Sequence, residues 1–78
     1  MKIFGYQKDN DTLLGLEEVS LQCTIDELEK VIKFLMEARK QHTKVCEETD
    51  ICHSHLRDWD NDWKSGDPDL IVVTKFKD

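Results

Sequence analysis

The chain lacks most of the features from which a function is usually read. Its three glycines, Gly5, Gly15 and Gly66, are isolated, so there is no glycine-rich loop to cradle a phosphate. Its cysteines, Cys23, Cys46 and Cys52, are odd in number, which makes a poor disulfide framework, and none stand at the C-x-x-C spacing of a zinc module. No charged-then-apolar leader precedes the opening segment "MKIFGY", and no apolar run approaches membrane-spanning length. These absences predict a cytoplasmic chain with free thiols and no membrane partner. Basic residues are in deficit, with 11 Lys and Arg against 17 Asp and Glu, for a net charge of −6. Phosphate backbones are bound by clustered Lys and Arg, so nucleic acid is not expected as a partner. A basic protein suits this field better, because complementary charge speeds encounter.

The 78 residues make one small domain, 1–78. A core of that size rarely supplies more than about 3–5 kcal/mol, so such domains often lean on a metal, a disulfide or another chain. Hydrophobic residues are 38% and charged residues 36% of the whole. The apolar residues are periodic, which argues for a folded chain.

"KIFGY" predicts a short edge strand. "KDNDT", residues 8–12, predicts a turn, because Asp and Asn side chains bond nearby backbone groups. A second, antiparallel strand is expected over "LLGLEEVSLQC". Leu14 and Leu16 share one parity there, and Val19, Leu21 and Cys23 the other, so a bulge or bend is expected at Glu17–Glu18. "TIDE", Thr24 to Glu27, is a capping box, and Cys23 ahead of it pairs with Leu28 as a hydrophobic staple. A helix then runs near 25–45. Its apolar stripe is Leu28, Val31, Ile32, Leu35 and Met36, and Arg39, Lys40 and Lys44 complement its dipole. "EETD", 47–50, predicts a loop. "ICHSHLR" predicts a strand at about 51–56 with His53 and His55 on one face, followed by a short turn carrying the tryptophans. "DPDLIVVTKF" closes the chain with a strand beginning after Pro68. The continuous run Leu70–Val73 fits a strand covered on both faces. The order is β-β-α-β-β, an α+β domain with one antiparallel sheet and one long helix across a single face. The other face calls for a cover, either the tryptophan loop or a second copy of the chain, and a weak homodimer is expected.

Residues 52–69, "CHSHLRDWDNDWKSGDPD", carry the candidate chemistry. Two histidines one residue apart on a strand lie about 6.6 Å apart, close enough to share an ion. His53 and His55 are therefore metal candidates, but third and fourth ligands are not well placed: Cys52 points to the opposite face, and Cys46 reaches only if the loop folds back. The plainer expectation is ordinary strand residues and no metal. Asp58, Asp60, Asp62 and Asp69 fall at positions one, three, five and twelve of a calcium loop, but Trp63 occupies position six, where the sharp turn needs Gly. That favours a solvated acidic loop. A Cys46 or Cys52 nucleophile beside a histidine lacks an orienting third group and an oxyanion hole, so no enzyme and no cofactor is expected. Trp59 and Trp63 among Asp58, Asp60 and Asp62 combine apolar area with dense negative charge. That is the make-up of an anchor and rim for a basic partner, although at least one of the rings is expected to extend the core.

"SLQCTIDELEKVIKFLMEA", "HSHL" and "DPDLIVV" together resemble small bacterial immunity-protein domains of polymorphic toxin systems, over about residues 16–74. In those domains a helix opening with a capped D-E-L segment precedes an H-x-H-L element, matched here by His53, His55 and Leu56. A closing P-D-[LI]-I-V strand is matched by Pro68, Asp69, Leu70 and Ile71. The resemblance implies a cytoplasmic antidote that binds and blocks a co-inherited toxin, without catalysis or cofactor. The alternative from the residues alone is a small metal-binding regulator using the His53/His55 pair.

Overall fold

The computed structural model describes residues 1–49 and 51–75, and the side chains of all of these except 45–49. Strands β1 (Ile3–Tyr6) and β2 (Leu13–Leu16) precede helix α1 (Ile25–Thr49). Strand β3 (Ile51–His55), the one-turn helix α2 (Leu56–Trp59) and strand β4 (Ile71–Lys75) follow. The chain is α+β, and the β-β-α-β-β order is the expected one.

The strands do not join into one sheet. β1 pairs antiparallel with β2, and β3 with β4, as two separate ribbons. In the first ribbon the chain reverses through a turn in which the Asn10 amide donates to the Gln7 carbonyl and the Thr12 amide to Asn10 Oδ1. Asp9 takes the left-handed conformation, φ 60°, which Asp tolerates better than most residues. Gly5 pairs with Leu14, and a β-carbon there would stand 3.1 Å from Cδ1 of Leu16, so that leucine would have to shift slightly to admit one. β2 stops at Leu16, so the expected long strand ends before Glu17–Glu18 and no bulge forms. The parity slip explains this: a strand carried past it would put Val19 and Leu21 on the face opposite Leu14 and Leu16. Residues 17–24 are irregular instead.

The capping box is present. The Thr24 amide donates to Glu27 Oε1 at 2.9 Å, and the Glu27 amide donates to Thr24 Oγ1 at 3.1 Å. The bond from the Thr24 backbone, and then that from its side chain, hold the Glu27 carboxyl below the usual glutamate range. Cys23 and Leu28 are both exposed, and the Cys23 thiol faces the Leu21 carbonyl, so the expected staple buries little. α1 continues through Glu47–Thr49, where a loop was expected; Asp50 lies outside the described residues.

α1 packs on the second ribbon, but not with the expected stripe. The side chains it buries are Phe34, at 2% exposure, Ala38 and His42, one per turn along a single line. Val31 and Lys30 are half-buried beside them. Leu28, Ile32, Leu35 and Met36 are exposed. At 3.6 residues per turn the two lines lie roughly 120° apart around the helix, so α1 has two apolar faces and the ribbon covers one. The ribbon itself turns Cys52, Ser54, Val72 and Thr74 toward the helix, while His53, Ile71 and Val73 face outward and are exposed. The last strand is therefore covered on one face, not both. Of the tryptophans, Trp59 packs on the helix side, its ring 5.9 Å from that of Phe34. Phe76, the last residue of the expected strand, lies outside the described residues.

Cys23 is free, whereas Cys52 is disulfide-bonded. The expectation of three free thiols is corrected, and the side chain of Cys46 lies outside the described residues. Among the described residues, no helix is long and apolar enough to cross a membrane. The cap yields a direct test: Thr24→Ala should lower unfolding stability by about 0.5–2 kcal/mol in denaturant titrations, with the loss confined to the helix start in amide exchange.

Candidate functional site

The stretch 51–70 folds into strand β3 and the one-turn helix α2, which carries Trp59, while Trp63 lies in the irregular loop beyond it. It then returns to β4 through a loop tied at several points. The Leu56 amide donates to the Leu70 carbonyl, and the Asp60 amide to the Leu56 carbonyl. Trp63 Nε1 donates to the Pro68 carbonyl at 3.0 Å, and the Lys64 amide to Asp67 Oδ2 at 2.9 Å. Gly66 turns the chain at φ 98°, a conformation that strains residues with a β-carbon.

The aspartates divide into two groups. Asp60 and Asp62 are both held by the ammonium of Lys30 on α1, at 3.0 and 2.8 Å. Asp62 first and Asp60 second hold that ammonium above the usual lysine range, and Lys30 in turn holds Asp60 below the usual aspartate range. The Asp60 side chain is only 15% exposed, against 82% for Asp62. Asp60 is thus part of the joint between loop and helix, while Asp62 is bound by one edge and open on the other. Asp58 is exposed, its carboxylate 3.9 Å from the Arg57 guanidinium. Asp69 is mostly buried. Its Oδ2 accepts from His55 Nδ1 at 2.7 Å and its Oδ1 from the Arg57 amide at 3.0 Å. Burial is the largest single influence and pushes its carboxyl up, but the bonds from His55 and Arg57 and the charge on His55 outweigh it, so the net displacement is downward. Asp69 serves as a remote cap for α2, which receives no side-chain bond from its own preceding residue His55.

His53 and His55 lie on the outer face of β3, as the alternation predicted, with ring centres 5.5 Å apart and edge-to-face. Nδ1 of His55 is taken by Asp69. Among the described residues, no three of His, Cys, Asp and Glu gather closely enough to hold an ion. The tryptophans differ in role: Trp59 completes the packing on Phe34, whereas Trp63 is half-buried and closes the loop through its ring nitrogen.

Sequence reasoning missed His42. Its ring is 7% exposed and bridges both strands of the second ribbon, Nδ1 to Thr74 Oγ1 and Nε2 to Ser54 Oγ, each at 2.8 Å. Either hydroxyl can donate to the ring or accept from it, as the state of each ring nitrogen requires. A serine beside a histidine nitrogen is also the start of an activated nucleophile. Here the third group is a hydroxyl instead of a carboxylate, and the ring is covered by α1, so the trio acts as a strap. The available signal was Phe34, Ala38 and His42 at four-residue spacing, which the denser stripe of aliphatics one face away obscured.

No family model, curated protein or solved structure matches the chain.

Two outcomes follow from this geometry. His42→Ala should cost about 2–4 kcal/mol in denaturant unfolding, since it opens a cavity and removes the bonds from the ring to Ser54 and Thr74. The Asp69 carboxylate has a native pKa below its ordinary 3.8, so the native state binds the proton less readily than the unfolded chain. Its contribution is complete above the unfolded value and is lost as pH falls through the native one. Asp69→Asn should therefore flatten the loss of stability measured between about pH 5 and pH 2.

Proposed function

We propose that the chain is a non-catalytic protein-binding module, an acidic immunity protein that neutralises a cognate toxin domain of basic character. The observation that carries this reading is the loop 58–69. It is pinned to the fold through Lys30, Asp69 and the Trp63–Pro68 bond, and it turns the carboxylates of Asp58 and Asp62 outward. A braced loop presents its charges without the ordering cost that a floppy one incurs on binding. Trp63 stands half-exposed among these carboxylates, and the bare outer ribbon face carrying Ile71 and Val73 adjoins the loop's C-terminal end. An aromatic anchor inside an acidic rim fits a basic surface. The resemblance to immunity proteins and the net charge of −6 agree with that partner. Within the set Trp59, Trp63, Asp58, Asp60 and Asp62, this reading gives the contacts to Trp63, Asp58 and Asp62, and gives Trp59 and Asp60 to holding the loop. A cytoplasmic antidote would carry Cys52 reduced, since disulfides persist in oxidising compartments, so its redox state in cells reports where the protein acts.

The test is calorimetric titration with the purified product of the adjacent reading frame. A one-to-one complex is expected, weakened as salt rises through the Debye-screening range. Trp63→Ala should weaken binding by about 2 kcal/mol or more while leaving the fold intact. Trp59→Ala should instead lower stability by roughly 2–3 kcal/mol, because it strips the cover from Phe34. Absence of binding, or binding indifferent to salt and to Trp63, would overturn the reading.

A further inference from the structure

His53 and His55 stand side by side on the outer face of β3, their ring centres 5.5 Å apart. Nδ1 of His55 lies 2.7 Å from Asp69 Oδ2. An ionised carboxylate only accepts, so Nδ1 carries the proton and the lone pair of the neutral ring sits on Nε2. Among the described residues, neither that Nε2 nor either nitrogen of His53 makes a hydrogen bond. His42 is the contrast, since both its nitrogens are engaged and α1 covers it. His53 is exposed and the His55 side chain is 19% exposed, so an ion can reach both from solvent. Two imidazoles on one tetrahedral ion, with metal–nitrogen bonds of about 2.0–2.1 Å, have ring centres roughly 5 Å apart. A small turn of the exposed His53 ring covers the difference.

We propose that His53 and His55 together bind zinc at an open, exchangeable site, with Asp69 as the positioning residue that orients His55. Imidazole nitrogen suits zinc and its late first-row neighbours, whereas magnesium and calcium take oxygen ligands. A ligating histidine almost always passes its other ring N–H to a carboxylate or a carbonyl, which fixes the ring and makes it a stronger donor. The His55–Asp69 bond is that arrangement, and Asp69 is held in turn by the Arg57 amide. The Arg57 guanidinium, 3.8 Å from the same Asp69 oxygen, opposes a bound cation, while the net charge of −6 favours one. No third protein ligand joins the pair among the described residues. That shortage excludes a closed structural site, in which four protein ligands hold the ion. An open site needs fewer, and water fills the remaining positions.

The test is titration of zinc chloride into the Cys23→Ser chain, followed by the histidine ring signals in NMR. That substitution removes the exposed free thiol as a competing ligand. The His53 and His55 signals should move together and saturate at one ion per chain, with a dissociation constant below about 1 mM, while those of His42 stay still. Magnesium and calcium should move none of them. Asp69→Asn should weaken zinc binding by about 10–100-fold, and His53→Gln by at least as much. Circular dichroism shows whether Asp69→Asn stays folded. If it does not, His53→Gln decides alone, because that side chain is exposed and makes no hydrogen bond among the described residues. Absence of a saturable response at the two rings would overturn the proposal, as would an equal response to magnesium or calcium. So would zinc binding that survives His53→Gln but is lost in Asp58→Asn or Asp62→Asn, which would place the ion in the acidic loop. The proposal does not rest on the basic-partner reading, which uses Asp58, Asp62 and Trp63, so each can fail alone.

Discussion

His42 is the one deeply buried polar side chain among the described residues, and the placement of the second half of the chain depends on it. A helix can lie across a two-stranded ribbon at many angles when only apolar contacts hold it, because burial of apolar area has no direction. Hydrogen bonds do have direction. By engaging Ser54 on β3 and Thr74 on β4 together, the imidazole fixes both the rotation of α1 and its height along the ribbon. Phe34 lies two turns earlier on the same line and meets Trp59 where the ribbon gives way to α2. Lys30, one further turn along, reaches Asp60 and Asp62. One line of side chains, each four residues from the next, thus holds strand, turn and loop in register against the helix.

That line also explains why the acidic loop can be both structural and available. An aspartate-rich loop repels itself and would ordinarily spread into solvent. Lys30 offsets one unit of the charge carried by Asp60 and Asp62 and leaves the outer edge of Asp62 open, and the His55–Asp69 pair buries another carboxylate at the point where the loop rejoins β4. The remaining carboxylates are left pointing outward from a braced frame. Of the residues that suggested calcium or zinc in the sequence, Asp60, Asp62, His55 and Asp69 take part in hydrogen bonds that set the loop's shape.

The intramolecular core is thin. Phe34 and Ala38 are the buried apolar residues among those described, while aliphatic side chains on α1, on the first ribbon and on the outer face of the second remain in contact with water. Small domains meet that shortage with a disulfide, a metal or another chain. The Cys52 disulfide is one such tie.

The sequence by itself determined the parts of this protein whose physics is local. The reciprocal Thr24–Glu27 bonds, the Asp–Asn turn, the strand start beyond Pro68 and the shared face of His53 and His55 each depend on residues a few positions apart. Their geometry follows from helix and strand periodicity alone. The order of elements followed from the same local rules. Tertiary structure decided what depends on choosing among equivalent surfaces. Leu28, Ile32, Leu35 and Met36 form the more hydrophobic stripe, yet the ribbon packs on the line of Phe34, Ala38 and His42, where the His42 ring bonds both strands. Two ribbons formed instead of one sheet because β2 ended where its parity reversed, leaving no strand to bridge them. Trp59 and Trp63 look alike in the sequence, and only the packing on Phe34 distinguishes the core ring from the loop-closing one. Periodicity reports that a face is apolar, but which face meets which is settled by long-range complementarity, and no local pattern encodes it.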